Sequence, residues 1–128
     1  MRKYAYWIST GLLAFLYVAS ATFYITQGDM VRQLLGNLGF PGYLVPVLII
    51  VKLLGVAAIL SRASVALSDL AYAGMFYHLL LALSAHLHAA DYSGAPPAAI
   101  GLVVLAVSFL TQNAGRKKPS PYAPPRPA

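Results

Sequence analysis

Lys52 is the residue whose chemistry most constrains this sequence. It stands well inside an apolar stretch, 42–60. In a helix it would lie about 15 Å from one end and about 12 Å from the other, at 1.5 Å per residue. A lysine stem covers roughly half that distance, so the ammonium cannot snorkel fully to either surface. A lysine at the centre of a membrane helix costs about 2.5–3.5 kcal/mol on insertion scales, which favours an inward orientation with a partner. The three acidic residues, Asp29, Asp69 and Asp91, all fall near the ends of apolar stretches. Lys52 must therefore be neutral, or meet neutral acceptors, a bound anion or lipid head, or a group on another subunit.

His78 and Tyr17 fall at matching depths, about 18 Å and about 15 Å from the same side. With Lys52 they define one polar layer, which Ser108 is placed to join. A few convergent polar groups in an apolar wall are how small-molecule sites are built. Here Tyr17, Lys52 and His78 would line a small polar pocket. His86 would differ from His78 by about 80° around the helix and sit about 6 Å below the surface, where it could relay a proton. His88 points about 200° away from His86, which argues against a histidine metal pair, so no metal site is expected. A blander role for His78 and Tyr17 is interhelical hydrogen bonding, worth about 0.6 kcal/mol on average. The chain has no cysteine, and no Ser–His–acid set, phosphate loop or paired carboxylates. The chain thus offers no recognisable catalytic motif.

The elements that must position these residues are membrane spans. The 128 residues are 59% hydrophobic and 9% charged, against roughly a quarter charged in soluble domains. Apolar stretches over 4–27, 42–60, 65–90 and 97–113 are separated by Gly, Pro and polar breaks. Lipid leaves the backbone of such stretches no partner but itself, so each is a helix. A short amphipathic piece over 30–38 precedes Gly39-Phe40-Pro41-Gly42. The predicted fold is all-α, an integral membrane four-helix bundle over 1–114. A basic, Pro-rich tail over 115–128 has no apolar period and is expected to be disordered. Small and polar residues at helical spacing mark the packed faces. They are Thr10, Ala14, Tyr17, Ala21, Tyr24 and Gly28 in the first span, and Val45, Leu48, Lys52, Gly55 and Ile59 in the second. In the third they are Ala71, Gly74, His78, Ala82, Ala85 and Ala89, and in the fourth Ala98, Gly101, Leu105, Ser108 and Gln112.

Four spans put both termini on one side. That side carries Arg2, Lys3, Arg62, Arg116, Lys117, Lys118 and Arg126, while Arg32 is the basic residue of the other. The positive-inside rule makes both termini cytoplasmic. The net charge of +6 is thereby read as topology and lipid contact rather than as a nucleic-acid surface. Arg2-Lys3 followed by an apolar run and Ala19-Ser20-Ala21 has the outline of a cleaved signal peptide. The run continues through Thr22-Phe23-Tyr24-Ile25, which suits an anchored helix instead.

The sequence resembles the DoxX-like family of small four-helix membrane proteins over about residues 4 to 113. The resemblance rests on Tyr6-Trp7-Ile8-Ser9-Thr10-Gly11-Leu12-Leu13, Gly39-Phe40-Pro41-Gly42-Tyr43, Lys52-Leu53-Leu54-Gly55, Ala71-Tyr72-Ala73-Gly74-Met75-Phe76 and Ala85-His86-Leu87. It implies a four-helix fold in the cytoplasmic membrane, with Lys52 and His86 matching the family's lysine and histidine. Where the family often has Asp, this chain has His78, so a Lys–Asp pair becomes Lys52 facing His78. Relatives include a subunit of a thiosulfate:quinone oxidoreductase and membrane partners of redox enzymes. Three roles follow. The chain could be a quinone- or lipid-binding accessory subunit of a membrane redox system. It could be an interaction or assembly partner of another membrane protein or of a second copy (homo-oligomer). Less favoured is a small-solute carrier, which four short helices would form only as an oligomer.

Overall fold

The computed structural model describes residues 2–61, 64–90, 92, 95–115 and 118–125. Of the residues used above for orientation, Arg62, Asp91, Arg116, Lys117 and Arg126 lie outside the described residues, as does the side chain of Arg2. The described chain is helical: α1 (Arg2–Thr26), α2 (Gly28–Asn37), α3 (Leu44–Ser61), α4 (Val65–His88) and α5 (Ala95–Thr111), with a 3-10 turn at Gln112–Ala114. Four of these, α1, α3, α4 and α5 with its 3-10 extension, are long and apolar enough to cross a membrane. Only 22% to 33% of each spanning window is buried. The remainder is apolar surface that suits hydrocarbon and not water, so the protein is a multi-pass membrane protein.

The four long helices form a square. α1 packs on α3 and α5, and α4 packs on the same two. α1 and α4 therefore face each other across one diagonal, α3 and α5 across the other. Leu13, Tyr17, Val56, Ile59, Tyr72, Met75, Leu79 and Leu105 fill the middle. The face expected of α5 is the one buried: Ala98, Gly101, Leu105, Ser108 and Gln112. That of α3 is close, with Val56 beside the expected Val45, Lys52 and Ile59. The face of α4 is turned from the expected one. Ser68, Tyr72, Met75 and Leu79 point inward, and Gly74 and Ala89 are exposed. Large side chains fill the diagonal gap that small ones would have left open.

The helix ends follow local chemistry. Ser64 caps α4 by accepting a hydrogen bond from the Leu67 N–H at 3.3 Å. α5 begins at Ala95, earlier than the expected start at Pro97, because prolines in a first turn forfeit no intrahelical bond. α2 closes on a Schellman motif. The Phe40 N–H donates to Leu35 O and the Gly39 N–H to Gly36 O, with Gly39 at φ +90 and Phe40 packed by Leu35. Val31 and Leu35 turn the inner face of α2 onto Val45.

The start of α1 and the end of the 3-10 turn lie at one end of the bundle, where a Cβ on Gly115 would fall within van der Waals overlap of the Tyr6 ring, 2.8 Å from Cε2. Within the tail, residues 118–125 are described. The Asn113 amide donates to Ser120 O, Ala123 O and Pro124 O, and its carbonyl accepts from the Ser120 N–H at 2.7 Å. Ser120 in turn donates to Asp69 Oδ2 at 2.8 Å. A Pro-rich segment cannot satisfy its carbonyls internally, and one buried asparagine does so for it.

Candidate ligand-binding cavity

Lys52 sits on the inward face of α3 with 5% of its surface exposed. Its ammonium donates to Ser20 Oγ of α1 at 2.6 Å. It also stands 4.1 Å from the centroid of the Tyr24 ring and 5.9 Å from that of Tyr17, within the range of cation–π attraction. A neutral hydroxyl and two aromatic faces thus take the place of a carboxylate. An ammonium has three N–H donors, and one serves Ser20.

Tyr17 and His78 span the α1–α4 diagonal. Tyr17 Oη lies 2.9 Å from His78 Nδ1, and either atom can supply the hydrogen. With the proton on Nδ1, His78 donates to Tyr17 and the phenol hydrogen is released for another acceptor. With the proton on Tyr17, the phenol donates to His78. The pair is a tautomer-dependent donor held by two helices.

Tyr17, Lys52, His78 and His86 line one cavity of about 210 Å³, together with Ser20 and Tyr24. The four residues singled out by depth alone are thus brought together. Leu79 and Gly101 line its deep part. A Cβ on Gly101 would approach Leu79 Cδ2 to 2.9 Å, so the glycine lets α4 and α5 close directly beneath the cavity. His88 is exposed on the far face of α4.

Ser108 does not join this layer. It lies deeper toward the termini, fully buried, 2.6 Å from Thr10 Oγ1 and 2.7 Å from Tyr72 Oη. The depth estimate ran along each helix separately, and the turn of α4 presents Tyr72 to Ser108 instead. Ser20 was missed. Its signal was its position three residues after Tyr17, on the same helical face, masked by its place in an Ala-Ser-Ala string.

The model of the DoxX-like family matches residues 8–110. The chain belongs to the DoxX-like family. Every residue of the cavity named above lies inside the matched segment. No curated protein and no solved structure matches the chain. In this DoxX-like protein Lys52 and His78 share the cavity wall, and each has its own partner, Ser20 for one and Tyr17 for the other.

Proposed function

We propose that this DoxX-like protein holds the head group of a quinone, or of a lipid with a comparable carbonyl, as an accessory subunit of a membrane redox system. The observation that carries the reading is the Lys52 ammonium in the wall of a cavity of about 210 Å³. Apolar cavities of about 150 Å³ accept benzene, and typical cofactor and drug sites run to about 300–1,000 Å³. The volume therefore suits one substituted ring, with any tail left in lipid. Lys52 would donate to a ring carbonyl oxygen, and the Tyr17–His78 pair would supply or accept a second hydrogen. A quinone supplies two-electron redox chemistry, and the protein's residues bind and orient it. The electron donor or acceptor for that quinone would belong to a partner. We place the protein in the cytoplasmic membrane with both termini cytoplasmic, on the strength of the basic residues at that end. Extraction of the protein purified in mild detergent tests the reading. A quinone should co-purify with the parent and be lost in Lys52→Met. A stoichiometric companion protein with no ring compound would favour the assembly-partner reading instead.

A further inference from the structure

We propose that the cavity is a vestibule closed toward both termini, so that its ligand's head group and any accompanying proton exchange only with the membrane side opposite them. The nature of that ligand rests on the reading above, but the access route rests on geometry alone. The lining starts near the bundle centre and runs to the far helix ends. Tyr24 lies just before the end of α1 at Thr26, His86 just before the end of α4 at His88, and Pro97 in the first turn of α5. All three ends face the same side.

The other direction is closed. Leu13, Val56, Met75, Leu79 and Leu105 form a buried apolar layer across the whole square. Leu79 seats on Gly101, and the Met75 methyl lies where a Cβ on Gly55 would meet it at 3.0 Å. The packing gap among Thr10, Leu13, Val56, Ile59 and Met75 leaves no volume for a water molecule. Beyond it the Thr10–Ser108–Tyr72 group begins, about two helical turns from Tyr17. Proton transfer needs donors and acceptors within about 3 Å or one bridging water, and the dry layer provides neither. The protein thus offers an exchange site on one face and not a channel.

The absence of cysteine makes the test direct. Single variants Tyr43→Cys and Lys118→Cys report the two sides, since both positions are exposed, one between α2 and α3 and one in the tail. Ala82→Cys on α4 and Ala98→Cys on α5 report the cavity, whose wall includes both. Sealed proteoliposomes of sorted orientation are treated with an anionic, membrane-impermeant methanethiosulfonate. Ala82→Cys should react about tenfold or more faster from the side that labels Tyr43→Cys, helped by the field of Lys52. Ala98→Cys should behave alike, which guards against one misfolded variant. Equal labelling from both sides, faster labelling from the Lys118→Cys side, or no labelling of either cavity variant overturns the proposal. A one-sided result without any extractable quinone upholds the vestibule and removes the ligand reading. Labelling from the termini side with a bound quinone does the reverse.

Discussion

Lys52 carries the cost of a charge held by a hydroxyl and aromatic faces where an acid could have stood. Removing one partner of such a group is worse than removing the group itself. Ser20→Ala should lower stability by about 1.5–3 kcal/mol, the range for hydrogen bonds to charged groups. Lys52→Met keeps the volume and deletes the charge, so it should leave the unfolding temperature in detergent unchanged or raised. Thermal unfolding of the two purified variants checks the contrast. Equal destabilisation would mean that Lys52 is a structural tether. At this scale the sequence was informative because depth is countable along a helix, and a central lysine has few explanations. The identity of its partner was not legible. Ser20 and Tyr24 come to Lys52 through the rotation of α1 against α3, which no linear spacing encodes.

The helices show where spacing suffices and where packing decides. The inward face of α5 follows from small and polar residues at helical intervals, and all its expected positions are buried. On α4 the same rule chose Gly74, which is exposed, over Met75 and Tyr72. Small residues mark close helix approach, but α4 faces α1 across a diagonal and needs bulk to reach the centre. The ends carry local tests. Ala90 adopts φ 57 after α4, a left-handed conformation that costs a non-glycine residue about 1–2 kcal/mol. Ala90→Gly should raise the unfolding temperature, and an unchanged or lower value would show that the strain is offset by contacts. Gly101→Ala should press Leu79 toward the cavity. Quinone occupancy should fall about tenfold for each 1.4 kcal/mol of lost fit, with little change in stability. Occupancy measured on the folded variant decides.

The whole molecule is a lipid-facing square whose two ends differ. One end holds the cavity; the other is closed by the tail, which the Asn113 side chain fastens over Asp69 and Tyr6. Asn113→Ala removes the asparagine's bonds and should speed tryptic cleavage after Lys117, since the bond after Lys118 precedes Pro119 and resists trypsin, without altering cavity contents; unchanged cleavage would mean that the fastening does not hold in the membrane. The four-span architecture was legible because apolar length and breaks specify it directly. The folded-back tail was not, since its order depends on a single asparagine whose partners lie several residues away. The central claim concerns the other end, that the Lys52 cavity holds a ring carbonyl. The most direct measurement is the quinone content of organic extracts from equal amounts of folded parent and Lys52→Met protein. A quinone present in the parent and lost in the variant is the expected result. No quinone in the parent, or equal amounts in both, would contradict the account.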